Sequence, residues 1–343
     1  MFAKSHQGIN MLRHISKILT LTIVVAVLGL SNAKAEAVLL VSGSDGTSRS
    51  IRAYDDKTSE FIKTLITAGN DLVAPDGLTI GPDGNLYVAN FGNNIPRFNP
   101  KTGEFIDIFV SAGSGGLAGS NELTFGPDGN LYVASLEGNT IRRYNGKTGA
   151  FINNFTNVTT PLDLTFGKDG KLYITSRDLS SVLRLDVQTG GVDTFVASNS
   201  GGLSTATGLT FGKDGNLYVN SFLTNKTLRY DGQTGEYIDT FVSSAGELLG
   251  PAGISFGPDG NLYVNGVNSN NVVRYDGKTG ALIDTFVPAG SGGLQRPVLG
   301  QIFVSTSVPE SGAELGLLGF GAVCVGLGMK RHLKKQQILV NKF

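Results

Sequence analysis

Short apolar runs separated by glycine-rich turns recur along most of this chain. In one copy, Leu209-Thr210-Phe211 precedes an Asp-Gly turn and Leu217-Tyr218-Val219 follows it. A third run ends in Arg229-Tyr230, and a fourth, after a Gln-Thr-Gly turn, extends from Tyr237 to Phe241. Runs rich in β-branched and aromatic residues between such turns are typical of β-hairpins, because the turn residues tolerate positive φ. Each copy therefore predicts four short strands, named a to d in chain order.

The copies recur at a nearly constant interval. The Asp-Gly turns between strands a and b are separated by 45, 41, 45 and 45 residues. They lie at Asp83-Gly84, Asp128-Gly129, Asp169-Gly170, Asp214-Gly215 and Asp259-Gly260. A period of about 40 to 45 residues with four strands per unit predicts the blades of a β-propeller.

The two ends of the repeat region complement each other. The first unit begins at Val38–Val41, which matches strand b, so it lacks its own strand a. The segment Pro297–Val304 supplies one more strand after the last complete unit. We therefore predict an all-β fold over residues 36–306, a six-bladed propeller closed by pairing of the N- and C-terminal strands. Closure hides the sheet edges that an open array exposes. A seventh blade would need a unit without a recognisable motif.

Both ends of the chain predict export. Residues 1–35 have the basic, apolar and small-residue regions of a signal peptide, with cleavage after Ala35. A retained membrane anchor is the alternative. In residues 307–343, Pro309 and Glu310 precede the apolar run 315–329, which we predict to be a C-terminal transmembrane helix, and a basic cluster follows that run.

This tripartite tail resembles a PEP-CTERM sorting signal, with Pro309 and Glu310 as the sorting motif and Ser311 where the family has proline. The resemblance implies an exosortase-type processing enzyme as a partner. It also implies export to the periplasm, cell surface or extracellular matrix of a bacterium with an outer membrane. The tail would anchor the protein in the membrane transiently or, if it is retained, permanently.

Composition excludes several functions. Nine of the 28 basic and two of the 28 acidic residues lie outside residues 36–306, which leaves a net charge of −7 for the repeat region. This charge disfavours nucleic acid as a partner, because nucleic-acid binding needs clustered Lys and Arg. The single cysteine, Cys324, and all three histidines, His6, His14 and His332, also lie outside the repeats. A Ser-His-Asp triad and a zinc site are therefore excluded there.

The two faces of the predicted ring differ in sequence. The a–b and c–d turns are nearly identical between copies, which indicates a role in folding, and the recurrent strand-c arginines belong to the same class. The b–c and d–a loops, which we call the variable face, differ from blade to blade. Since function usually lies on loops held by a rigid scaffold, we place the ligand site there. The candidate residues are Asp76, Asn90, Phe91, Glu122, Glu137, Asp163, Arg177, Asp178, Asn220, Phe222 and Asn265.

Three of these residues are candidate metal ligands. Glu122 and Asp163 occupy equivalent positions in adjacent blades, and Asn220 lies at the end of a strand b. Their oxygens suit a hard cation such as Ca²⁺ or Mg²⁺. The interpretation that we favour treats them as solvated polar groups lining a wet channel, with no cofactor.

Gly-Pro-Asp-Gly-Asn-Leu-Tyr-Val with a downstream Arg-Tyr-Asp-Gly-Lys-Thr-Gly resembles the repeats of NHL-type propellers, and in particular streptogramin (virginiamycin B) lyase-like proteins. The resemblance implies the propeller fold, and for the lyases a histidine base beside a channel magnesium. No position in the repeats can supply that histidine. Sugar-lactonase propellers instead hold a channel metal with carboxylate and Asn ligands, for which Glu122, Asp163 and Asn220 are the candidates.

Our leading functional hypothesis is a secreted, surface-associated propeller that acts as a binding or scaffold protein. Its ligand would be an extracellular protein or polysaccharide on the variable face. The first alternative is a metal-dependent lactonase or hydrolase in the channel. The second is a streptogramin lyase-like enzyme with altered chemistry.

Overall fold

The computed structural model describes residues 37–69, 72–155, 158–243 and 247–305. One compact unit, Ala37–Ser305, contains all of them. The predicted signal peptide with Ala35, and the tail with Pro309, Glu310 and the predicted apolar helix, lie outside these residues. Over the described ranges, no helix is long and apolar enough to cross a membrane.

Twenty-four strands form six four-stranded sheets, which are the blades. Blade 1 has β24 (Gln301–Ser305), β1 (Ala37–Ser44), β2 (Arg49–Asp55) and β3 (Phe61–Thr67). Blade 2 has β4 (Pro75–Ile80), β5 (Leu86–Asn90), β6 (Ile95–Phe98) and β7 (Phe105–Val110). Blade 3 has β8 (Ser120–Phe125), β9 (Leu131–Ser135), β10 (Thr140–Tyr144) and β11 (Phe151–Phe155).

Blade 4 has β12 (Pro161–Phe166), β13 (Leu172–Ser176), β14 (Ser181–Leu185) and β15 (Val192–Val196). Blade 5 has β16 (Ala206–Phe211), β17 (Leu217–Ser221), β18 (Lys226–Tyr230) and β19 (Tyr237–Val242). Blade 6 has β20 (Pro251–Phe256), β21 (Leu262–Gly266), β22 (Asn271–Tyr275) and β23 (Leu282–Val287). Short 3₁₀ turns at Ser114–Gly116, Ser200–Gly202 and Ser291–Gly293 lie in d–a loops.

The C-terminal strand closes the ring as predicted. β24 pairs antiparallel with β1, with Val304 opposite Val38 and Gln301 opposite Val41. It therefore serves as strand a of the blade that the N-terminus begins. The strands a of neighbouring blades contact one another, so they line the centre of the ring. The prediction of six blades with circular closure is confirmed.

The repeated Asp-Gly turn is a folding element. Oδ1 of Asp259 accepts the Asn261 backbone N–H at 3.0 Å, while Oδ2 accepts the Asn261 side-chain amide at 2.7 Å and the Tyr263 hydroxyl at 3.0 Å. Gly260 has φ +83°, a conformation that glycine adopts without steric cost. One Asp side chain thus shapes the turn and fixes the following strand-b tyrosine.

A second repeated unit joins strands c and d. In blade 5, Nε of Arg229 donates to Oδ1 of Asp239 at 3.1 Å, and the guanidinium carbon lies 5.1 Å from the ring centroid of Phe241. The strand-b Tyr218 packs edge-on against Phe241 in its own blade and against Phe256 in the next, with centroids 4.8 Å and 5.2 Å away. The recurrent arginines therefore join strands c and d within their own blades, and the strand-b tyrosine contacts the next blade.

Candidate functional site

An apolar cluster joins segments from the inner strands and loops on the variable face. Leu162, Ala252, Val267 and Leu299 are buried in one cluster, and Leu136 and Phe222 pack against it. We call these six residues the central cluster. They come from five blades, so the cluster crosses the axis of the ring. Apolar side chains therefore lie at the centre of the ring beside the polar groups that the sequence predicted there.

Buried carboxylates lie on the strands a that surround this centre. Asp76, the second residue of β4, is only 6% exposed. Its Oδ1 accepts the backbone N–H of Leu299 at 3.2 Å, and its Oδ2 lies 3.3 Å from Nη1 of Arg49. Burial raises the pKa of Asp76 to about 6, and the Arg49 guanidinium partly offsets that shift. The side chain ties blade 2 to the chain segment that leads into the closing strand.

Glu122, the third residue of β8, occupies space that a side chain would fill in the neighbouring blade. Its carboxylate lies against Gly77, the third residue of β4, so closely that a Cβ there would overlap it. Its Oε1 also accepts the backbone N–H of Leu123 at 3.1 Å. Burial, and secondly repulsion by Asp163, raise the pKa of Glu122 well above its ordinary value. The group is therefore held in a site that favours the neutral acid.

Asp163 bridges two blades through backbone N–H groups. Oδ1 accepts from Leu164 at 2.6 Å, and Oδ2 accepts from Leu209 of blade 5 at 2.9 Å. Burial raises the pKa of Asp163 to about 7, although these hydrogen bonds favour the ionised form. Asp76, Glu122 and Asp163 are thus structural acceptors for the inner strands. Asp76 and Glu122 are buried and not solvated as the sequence led us to expect, whereas Asp163 is partly exposed.

The raised pKa of Asp163 predicts a pH-dependent stability. The folded state favours the protonated acid, so its stabilising effect is complete below the unfolded pKa of about 3.8 and is lost as pH rises through about 7. Between pH 4 and pH 8, the difference in unfolding free energy between Asp163→Asn and wild type should shift by about 1 to 3 kcal/mol in favour of the variant. Urea denaturation at each pH measures this difference.

Asp55 offers a control in which the carboxyl pKa is shifted in the opposite direction. Its carboxylate accepts backbone N–H groups of Thr58 and Lys57, which lower its pKa. Asp55→Asn should therefore lose stability relative to wild type as pH rises to about 4. The difference should then stay constant between about pH 4 and pH 8, where the difference for Asp163→Asn changes. Parallel pH profiles for Asp163→Asn and wild type would contradict the assignment.

The candidate metal ligands do not fit a metal site. Asn220 donates through Nδ2 to the carbonyl oxygen of Ala252 at 2.9 Å and accepts through Oδ1 from the Thr227 hydroxyl at 2.7 Å. Its amide oxygen is therefore already used between strands. Within the described part of the chain, no group of three or more His, Cys, Asp or Glu side chains is arranged to hold a metal ion. We derive no step through a channel metal.

The three predicted asparagines occupy two different positions within their strands b. Asn220 and Asn265 are the fourth residues of their strands b. Each side-chain amide donates to a backbone carbonyl oxygen of the next inner segment. For Asn265 that oxygen belongs to Val298 and lies 2.7 Å away. Asn90 is the fifth residue of β5, so its side chain alternates to the other sheet face. There its Oδ1 accepts the N–H groups of Val73 and Ala74. The structure therefore does not bring the three amides together.

The remaining candidates lie in b–c loops. Phe222 belongs to the central cluster, whereas Phe91 is 39% exposed and Glu137 is exposed. Arg177 and Asp178 form an exposed ion pair at 2.9 Å.

The structure adds four exposed apolar residues to Phe91, which the sequence had already indicated as a candidate. Five large apolar side chains are exposed in the loops of the variable face, and we call them the apolar rim. They are Val73, Phe91, Leu179, Leu223 and Leu249. Their signal in the sequence was the variation of the loops, but chain order does not show which loop side chains are exposed.

Known proteins with a similar fold share this architecture. Residues 62–289 match the model of the virginiamycin B lyase family. Selenomethionine-substituted virginiamycin B lyase from Staphylococcus aureus is 20% identical, with a TM-score of 0.53 over 67% of this chain and 74% of that one. A catalytically inactive histidine-to-alanine variant of that organism's lyase, solved with quinupristin, is 18% identical, with a TM-score of 0.55 over 80% and 94%.

A chain of a nidogen/laminin complex is 16% identical and has a TM-score of 0.63 over 79% of this chain and 100% of that one. At these identities the likeness to solved structures shows the fold alone. No curated protein matches the chain.

Proposed function

Because the chain belongs to the virginiamycin B lyase family, we propose that it uses the propeller of that family as a rigid binding scaffold and not as a lyase. The observation that carries the proposal is the apolar rim, five exposed apolar side chains in the loops of the variable face. Exposed apolar side chains grouped on one face are typical of interaction sites. We place the ligand there.

The chemistry of the repeats supports binding over catalysis. The inactive Staphylococcus aureus lyase carries alanine in place of a histidine, and residues 36–306 of this chain contain no histidine. The buried carboxylates, which would otherwise be candidate bases, accept backbone N–H groups of the inner strands. The residues at the centre of the ring therefore include no histidine base, and their carboxylates are engaged in hydrogen bonds to the backbone.

The exposed residues favour a protein as the ligand. Leu223 is 67% exposed and Phe91 is 39% exposed, and aromatic and aliphatic anchors of this kind supply much of the free energy of protein association. An extracellular polysaccharide is the second ligand that we consider. The predicted signal peptide and sorting tail support an exported, surface-associated protein.

Replacing two rim residues should abolish capture of the ligand. We expect Phe91→Ser with Leu223→Ser to weaken binding by about a hundredfold, since an interface anchor contributes on the order of 1 to 2 kcal/mol. The measurement is capture from the extracellular fraction, mass spectrometry of the captured protein, and titration of that protein against both variants.

The matched control is Ile106→Ser with Ile238→Ser, which removes two side chains of similar exposure from strands d. It should leave binding unchanged. Equal capture by all variants would contradict the placement of the site. Turnover of quinupristin or of simple lactones by the purified protein would contradict the non-catalytic proposal.

A further inference from the structure

Blades 2, 4, 5 and 6 share an arginine–aspartate pair across strands c and d, and blade 3 keeps the arginine without the aspartate. In blade 5, Arg229 lies opposite Asp239 across strands c and d, and the same register in blade 3 places Asn153 opposite Arg143. Nε of Arg143 and Oδ1 of Asn153 are buried, and neither has a hydrogen-bond partner among the described residues. Arg143 bonds through Nη2 to the Asp128 carboxylate. A donor and an acceptor are thus left without partners in one blade.

The aromatic packing changes at the same place. The rings of Tyr218 and Phe241 in blade 5 meet at 81° with centroids 4.8 Å apart. Their counterparts in blade 3, Tyr132 and Phe155, are stacked at 18° with centroids 6.3 Å apart. The Arg143 guanidinium carbon lies 5.7 Å from the ring centroid of Tyr132. Phe155 has therefore moved out of the position that would cover the arginine.

Blades 3 and 4 also lie further apart at their c–d turns than blades 2 and 3 do. A Cβ on Gly149, in the c–d turn of blade 3, would overlap the carbonyl oxygen of Phe109 in blade 2. At the equivalent Gly190 of blade 4, the nearest atom would be Cδ1 of Phe155 at 3.9 Å. The spacing of 41 residues between Asp128 and Asp169, against 45 elsewhere, comes from a shorter connection between Phe155 and Pro161, on the variable face of the same two blades.

This separation opens a groove between blades 3 and 4. One cleft has a volume of about 510 Å³ and a second of about 340 Å³, and Arg143, Val187 and Gln188 line both. The first adds Asp128, Asp169, Lys171 and Asp186, and the second adds Asn153 and Asn154. The groove lies on the face of the uniform turns, so it is separate from the apolar rim.

The chemistry of the groove indicates a neutral polar ligand. Arg143 and Lys171 face three carboxylates, so the local charge of the lining residues is −1 and does not favour an anion. Carboxylates, amides and cationic donors lie side by side, and each hydroxyl group of a sugar both donates and accepts hydrogen bonds. A volume of this size falls within the range of small-molecule sites.

We propose that the groove between blades 3 and 4 is a carbohydrate-binding site. Arg143 and Asn153 line the groove, and a small shift of their side chains on binding brings the buried Nε–H and Oδ1 to neighbouring hydroxyl groups of a neutral saccharide, which supplies the two missing hydrogen bonds. The proposal does not depend on the function assigned to the variable face.

NMR titration of the ¹⁵N-labelled protein with maltotriose, cellotriose and trigalacturonate tests this site. At least one neutral trisaccharide should shift the Nε–H signal of Arg143 and the backbone amide signals of Lys171 and Gln188, with a Kd in the millimolar range. Absence of these shifts with both neutral probes would overturn the proposal. Tighter binding of trigalacturonate than of either neutral probe would overturn the assigned ligand class.

Asn153→Asp should close the site without damaging the fold. The new carboxylate restores the pair seen between Arg229 and Asp239, so saccharide affinity should fall at least tenfold while the melting temperature stays equal or rises. Asp239→Asn is the matched control, because it breaks the pair in blade 5 and should leave the titration unchanged. Wild-type affinity in Asn153→Asp would overturn the role of Arg143 and Asn153.

Discussion

A chain that ends at Gly300 should lose the cooperative unfolding transition of the propeller, whereas a chain that ends at Ser305 should retain it. The five residues between these ends are β24, which pairs with β1 along its whole length. Phe303 packs edge-on against Tyr263 of blade 6 at 4.9 Å, and Val304 belongs to the core between blades 1 and 2. Their loss costs at least about 5 kcal/mol, comparable with the stability of a whole domain.

Denaturant unfolding followed by circular dichroism measures this effect. The shorter chain should unfold without a sharp midpoint, because β1 then presents an unpaired edge at the centre of an open ring. Adding a synthetic peptide of residues 298–306 should restore part of the transition. A midpoint equal to that of the longer chain would show that blade 1 does not need its fourth strand.

Gly149→Ala should destabilise the fold by about 2 to 5 kcal/mol. Gly149 has φ +70°, which costs an L-residue about 1 to 2 kcal/mol, and its new Cβ would overlap the carbonyl oxygen of Phe109. The overlap involves backbone on both sides, so no side chain can rotate to relieve it. The shift of the urea midpoint at constant slope measures the change in unfolding free energy.

Gly190→Ala separates the two causes. Gly190 has φ +77°, but its nearest neighbour would lie 3.9 Å from a Cβ. This variant should lose only the backbone contribution, about 1 to 2 kcal/mol. Equal destabilisation of the two variants would contradict the wider separation of blades 3 and 4, on which the proposed groove also rests.

The site was less predictable than the fold. The loop position of Phe91 and the inner position of Glu122 could be read from the repeats, because equivalent residues occupy equivalent places in every blade. Their environments could not. Glu122 is buried because the third residue of the neighbouring strand a is Gly77, which leaves room for its carboxylate. The amide oxygen of Asn220 already accepts a hydrogen bond because the Thr227 hydroxyl lies beside it. These side-chain environments depend on which segments of the chain become neighbours in the folded protein.

By itself, the sequence determined the strands, their turns, the number of blades and the closure of the ring. Those features follow from local patterns, since positive-φ turn residues and alternating apolar positions act within a few residues of the chain. Only the tertiary structure decided that Leu162 and Leu299 meet at the centre, and that Arg143 faces an open groove. The physical reason is distance: burial and pairing depend on how closely separate blades approach, and local patterns do not specify that spacing.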